Sequence, residues 1–227
     1  MENKEVEEKS EKPSLFGMIM NPGIQFERMR ENPKVLVAIL IVTLLSLIGS
    51  LMMASGMDSM ISEVPEFEGF TEEQLLVASA ITQITAVAAG LLTPIVLILI
   101  STVIFIAIGK IVKSEVTFKQ LLSMNAHIYL ISALSLLLNG FLMMVLQGGN
   151  PDVYYTSLNS VIGAGGALGA FLNSIEVFSI WNLILTAIGL HIVAGFSKRL
   201  SWSIVIAIYI ITLVFGMVAA ALATVGV

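Results

Sequence analysis

With 57% apolar and only 12% charged residues over 227 positions, and a mean hydropathy of +0.96, this chain is too apolar for a soluble domain. About a quarter of a soluble domain is charged, so the composition is that of an integral membrane protein. A formal charge of −5 excludes nucleic acid, which needs a basic face; zero cysteines remove disulfides, thiolate metal sites and a cysteine nucleophile, and two histidines leave no multi-histidine metal centre, so neither metal nor cofactor is expected.

Residues 1–12, "MENKEVEEKSEK", form a charged tail that cannot bury a core and is expected to be disordered. No small-residue cleavage site follows, so the first hydrophobic segment is expected to act as the insertion signal. Residues 13–32 carry one apolar patch at Leu15, Phe16, Met18 and Ile19, and a second at Phe26 and Met29 beside Arg28 and Arg30. That pattern predicts an amphipathic juxtamembrane helix lying on the inner leaflet.

From there to residue 227 the chain reads as one all-α membrane domain. A hydrocarbon core about 30 Å thick needs about 20 apolar residues per helix. Five segments qualify: 33–54, 79–108, 118–146, 175–196 and 202–225. Asn32 before Pro33 is a helix start. Thr71-Glu72-Glu73-Gln74 is a capping box with acids in its first turn, so the second helix begins outside the bilayer and runs to about Lys110. Pro94 is expected to bend it. Between the third and fourth segments, "VIGAGGALGAF" (161–171) is too short to cross, and residues 159–172 are read as a re-entrant or interfacial stretch whose glycines permit tight packing.

Charge sets the expected orientation. All 11 Lys and Arg residues fall in three places: the N-terminal segment (Lys4, Lys9, Lys12, Arg28, Arg30, Lys34), the loop after the second helix (Lys110, Lys113, Lys119), and Lys198-Arg199. Loops 55–78 and 147–174 have none. The positive-inside rule puts the N-terminus in the cytoplasm and the C-terminus outside, across a plasma membrane crossed five times. Trp202 then lies at the cytoplasmic interface and Trp181 one to two turns inside the outer one, as amphipathic anchors.

Helices in lipid associate through small and hydrogen-bonding residues. The third carries Asn125, Ser132 and Asn139 every seven residues, and the fourth a stripe of Ser179, Asn182, Thr186, Gly189 and Ser197. The fifth has Thr212-x-x-x-Gly216-x-x-x-Ala220 and the second Ala86-x-x-x-Gly90. These are packing candidates, with Asn182 read as interhelical glue rather than a substrate ligand.

Ionisable groups within a membrane are functional candidates by default. Glu176, a turn inside the outer boundary, reads as an interfacial structural acid. His127 and His191 lie at similar cytoplasmic depth. They either face each other as a proton relay or pH sensor, or bond separately to their own helices, and the second reading is favoured. The outer segment 58–73 holds Asp58, Glu63, Glu66, Glu68, Glu72 and Glu73 with no base. It would attract a cationic peptide or a divalent ion, unless it is simply an outer loop without lysines.

The stretches "P-S-L-F…N-P-x-x-x-F-E-R-M-R-E-N-P" before the first segment and "I-E-V-F-S-I-W-N-L-I-L-T-A-I-G-L" at the fourth resemble the Yip domain family of five-span membrane proteins, in its bacterial branch. The likeness runs from Pro13 to Ala221, and Phe178, Trp181, Leu185 and Gly189 are its most specific part. In eukaryotes the resemblance implies Rab GTPase binding and vesicle traffic. For a bacterial chain it implies an accessory to ABC-type exporters or to defence against antimicrobial peptides. It brings no catalytic residues. Motifs for catalysis are also missing: no His-Glu-x-x-His, no Gly-x-Ser-x-Gly and no carboxylate pair within a span. The expected function is a non-catalytic scaffold or accessory subunit, contacting lipid and other membrane proteins such as ABC-type transporter subunits. A small secondary transporter or channel is the alternative, although five spans do not divide into two repeats.

Overall fold

The computed structural model describes residues 11–58, 69–146 and 153–225, and these residues form nine helices. Two short ones, α1 (Leu15–Met20) and α2 (Pro22–Glu31), precede α3 (Leu36–Asp58), α4 (Glu72–Ile111) and α5 (Phe118–Leu146). Then follow α6 (Asn159–Ile162), α7 (Gly166–Ser174), α8 (Val177–Ile192) and α9 (Lys198–Val225). Four of them, α3, α4, α5 and α9, are long and apolar enough to cross a membrane. The 16 residues of α8 are apolar but shorter.

The expected fourth span is shortened at both ends for local reasons. At its start Glu176 is extended (φ −127°, ψ 140°) and caps the helix. At its end Gly195 takes φ +69°, and the Phe196 N–H donates back to Leu190 O at 3.2 Å. That bond, from residue i back to i−6, closes the helix end around a left-handed glycine.

Capping chemistry also sets the start of α4. Gln74 N–H donates to the Thr71 hydroxyl, and Thr71 N–H to the Gln74 side chain at 2.8 Å. With 40 residues, α4 is roughly 60 Å long at 1.5 Å per residue, about twice the hydrocarbon core. The helix continues through Pro94, which is buried.

Glycines bring the backbones together. In α3 and α5, which run parallel, Gly49 lies against the backbone of Leu136 and Leu137, Gly56 against Met143, and Gly140 against the Gly49 carbonyl. On the other side of α3, Gly90 of α4 meets Leu47, whose Cα would be 2.6 Å from an added Cβ. Helix α8 packs on α5, and α9 packs on α7 and α8.

The segment 13–32 departs from the single surface helix expected of it. Pro22 opens a second helix after Asn21, and the apolar face turns into the bundle. Met18, Phe26 and Met29 are 0% exposed and share a core with Leu121, Met124, Leu185 and Leu190. Only the other face, with Phe16 71% exposed, is left for lipid. Both environments are apolar, so the pattern alone does not distinguish them.

In the glycine-rich stretch, Asn159 braces a turn by donating to Ala164 O at 3.0 Å and accepting from Ala164 N–H at 2.9 Å. Gly163 adopts φ +67°, and α7 then packs along α9.

Three long-range bonds gather one end of the bundle: Gln120 Nε2 to Arg30 O at 2.6 Å, Ser123 Oγ to Lys34 O at 2.8 Å, and Ser114 Oγ to Ala194 O at 2.5 Å. The basic clusters at 28–34, 110–119 and 198–199 therefore share that end. The charged tail to residue 10 and the acids Glu63, Glu66 and Glu68 lie outside the described residues.

Candidate functional site

The heptad on α5 joins that helix to three different neighbours. Near the basic end Asn125 Nδ2 donates to Thr102 Oγ1 of α4 at 2.9 Å. One heptad on, Ser132 Oγ accepts from Asn182 Nδ2 of α8 at 2.8 Å. At the far end Asn139 Nδ2 donates to Thr156 Oγ1 at 2.9 Å, and its carbonyl accepts from Thr156 N–H at 3.3 Å.

Glu176 completes that far end. Its Oε1 accepts from Ser135 Oγ at 3.0 Å and Thr156 Oγ1 at 2.8 Å. Its Oε2 accepts from Ser179 N at 2.7 Å and Ser179 Oγ at 2.8 Å. Four bonds fill the acceptor capacity of a carboxyl. Only 4% exposed, Glu176 caps α8 and fastens it to α5 and to the 153–158 segment.

Other predicted residues stay within their own helices. Thr186 Oγ1 donates to Asn182 O at 2.8 Å, and Ser197 caps α9 by accepting from Leu200 N–H at 3.3 Å. Gly189 is a true contact point: an added Cβ would lie 2.8 Å from Met124 Sδ and 3.0 Å from Phe26 Cε1. Gly216 differs from its expected packing role, since nothing lies within 4 Å of its Cβ position. It opens onto a cavity instead.

The histidines are separate. His127 Nδ1 lies 2.7 Å from Ser123 O and His191 Nδ1 2.7 Å from Phe196 O. Each therefore carries its proton on Nδ1 and donates to a local carbonyl. No hydrogen bond joins the two rings among the described residues, so the relay geometry is not formed. Of the acidic loop, Asp58 is the last residue of α3. Glu72 and Glu73 are exposed in the first turn of α4, where carboxylates suit the helix dipole. Among the described residues no three His, Asp or Glu side chains are grouped to hold a metal ion.

The cavity has a volume of about 1040 Å³. Its walls are α3, α4 and α5 on one side and α7, α8 and α9 on the other, with α4 and α9 facing each other across it. Hydroxyls from every quarter line it: Ser46 and Ser50, Thr82, Thr85 and Thr93, Tyr129, Ser132 and Ser135, Tyr154, Ser174, Tyr209 and Thr212. Glu176 and Asn182 join them. A second cavity of about 250 Å³ reaches Ser101, Asn125 and Thr186 and shares Tyr129, Ser132 and Asn182 with the first. The Asn182–Ser132 bond sits where the two meet.

Sequence reasoning missed Ser46, Ser50, Tyr129, Tyr154 and Tyr209. It also missed the α4 wall, although Thr82, Thr85, Ala89 and Thr93 follow spacings of three and four, one face of a helix, and that signal would have found it. Three tyrosines from distant segments carry no such mark.

Comparison with known proteins finds a match between residues 16–220 and the Yip1 domain. The chain is also similar to the membrane protein YknW of Bacillus subtilis (strain 168), at 36% identity over 209 residues, which cover 92% of this chain and 90% of that protein. No solved structure matches.

Proposed function

The chain belongs to the Yip1 domain family, and from that premise we propose that it is a non-catalytic accessory or scaffold subunit of a membrane transport, export or envelope-defence system, such as an ABC-type exporter. The observation that carries this reading is the state of its ionisable groups. Glu176, His127 and His191 are each engaged in structural hydrogen bonds: both histidines donate to backbone carbonyls, and the acceptor capacity of Glu176 is filled by three hydroxyls and a backbone N–H that fasten α8 to its neighbours. A hydrolase or relay would need a base free to act on its reacting group. Helix α9 meanwhile turns Ile210, Phe215, Val218 and Leu222 outward, an apolar face suited to lipid or to the spans of other proteins.

In this reading the chain crosses the plasma membrane five times, with the basic end in the cytoplasm. The fourth crossing is a broken one, α7 and α8 together, since α8 alone falls short of the core. The test is affinity purification from native membranes in mild detergent. Reproducible co-purification of transporter subunits is expected, and their absence when the chain itself is recovered intact would overturn the proposal.

A second reading, a transporter or channel in its own right, is favoured by the shared neck of the two cavities. Substrate flux in liposomes containing this chain alone would establish it over the first.

A further inference from the structure

The wall of the large cavity has a donor–acceptor bias that follows from where its protons go. A hydroxyl has one proton and two lone pairs. Ser50 gives its proton to Ser46 O at 2.8 Å, Thr82 to Ala78 O at 3.0 Å and Thr212 to Ile208 O at 3.1 Å. Ser135 and Ser179 give theirs to Glu176. What these five residues offer to the interior is lone pairs. Among the described residues lining the cavity, Glu176 is the one carboxyl, and there is no Lys, Arg or His.

A separate observation points the same way. Ser46 lines the cavity, is 1% exposed, and its Oγ has no hydrogen-bond partner. A buried polar atom without a partner costs stability in a folded chain. The remaining wall, including Ile81, Leu136, Phe178 and Leu213, is apolar. The volume is at the upper end of the range for pockets that take a small ligand.

We propose that this cavity binds an amphiphilic amine: one ammonium head group, which is all donor and positively charged, on a hydrocarbon tail. The head group donates to the hydroxyl lone pairs around Ser46 and Ser50 in the field of Glu176, and the tail lies along the apolar wall toward Gly216. An anionic head group gains nothing from those five hydroxyls, whose protons are already given, and it meets the Glu176 carboxyl, so it binds more weakly than the amine. This site is independent of the accessory role argued above.

The test uses the full chain in phosphatidylcholine nanodiscs and, as probe, dodecylamine with a diazirine in its chain. Photolabelling is expected on peptides of α3, α4 and α9 that line the cavity, competed by dodecylamine and not by dodecanoate. Ser46→Ala removes an acceptor and an orphaned polar atom together. It is expected to raise the melting temperature while weakening labelling by roughly fivefold or more, the scale of one lost hydrogen bond. A merely structural serine would not move the two in opposite directions. Gly216→Phe, placed where an added side chain meets open space, should exclude the probe. Should that variant fail to fold, Ser46→Ala and the competition profile decide. Equal competition by dodecanoate, or labelling confined to the outward faces of α4 and α9, would overturn the proposal.

Discussion

Glu176 holds residues that lie 41 and 20 positions upstream, Ser135 and Thr156, together with the first turn of its own helix. Both carboxyl oxygens accept two bonds. Glu176→Gln therefore sets an NH2 against two donors whichever way the amide is turned, and the N–H of Ser179 or the hydroxyl of Thr156 loses its acceptor. A buried donor left unpaired costs about 1–3 kcal/mol. Asn182→Leu removes one interhelical contact of a kind typically worth about 0.6 kcal/mol and at most about 1.7. Thermal unfolding in detergent should rank Glu176→Gln as the more damaging, and the reverse order would refute the view of Glu176 as a fastener. The sequence exposed this acid because a carboxyl in an apolar run stands out. Its partners were illegible, since a serine or threonine in an apolar helix serves as readily for back-bonding to its own turn.

Whole elements were legible in proportion to their local signals. Gly195, beyond the end of α8 and inside the expected span 175–196, went unread, although the capping box at Thr71 is written into a few adjacent residues and acts in the structure as its chemistry dictates. The direction taken by α2 is not. Its periodicity announces an apolar face without saying whether lipid or protein receives it. That difference is measurable. Phe26 is 0% exposed and touches Gly189, whereas Phe16 is 71% exposed. Phe26→Ala should destabilise the chain by about 3 kcal/mol, the usual result of emptying a buried aromatic site. Phe16→Ala should change stability little. If the two variants melt alike, α2 is not part of the core.

At the scale of the molecule, the arrangement of basic residues at one end is the feature that topology rests on. The chain has no native cysteine, so single introduced thiols report position cleanly. Glu73→Cys, in the first turn of α4, should react with an impermeant maleimide in intact cells. Lys119→Cys, at the start of α5, should react only after permeabilisation. Reaction of Lys119→Cys in intact cells would sink the five-crossing orientation. Charge placement was readable because it is a property of loops counted along the chain. The cavity was not, because its wall is assembled from six helices far apart in the chain, and no local pattern encodes the space left between them.

The glycine seam between α3 and α5 has a consequence for how the protein is made. The seam joins first and third long spans, so it skips a neighbour: Gly49 finds its site only when Gly140 is in the bilayer. About 90 residues separate them, which at roughly 5–20 residues per second is on the order of 5–20 s of translation. Throughout that interval α3 leans on α4, through Gly90 and Leu47, and its other notched face is open to whatever else the translocon has just released. Biogenesis thus passes through a half-built hairpin of two helices, and a ribosome stalled between α4 and α5 would leave that hairpin as a substrate for membrane proteases.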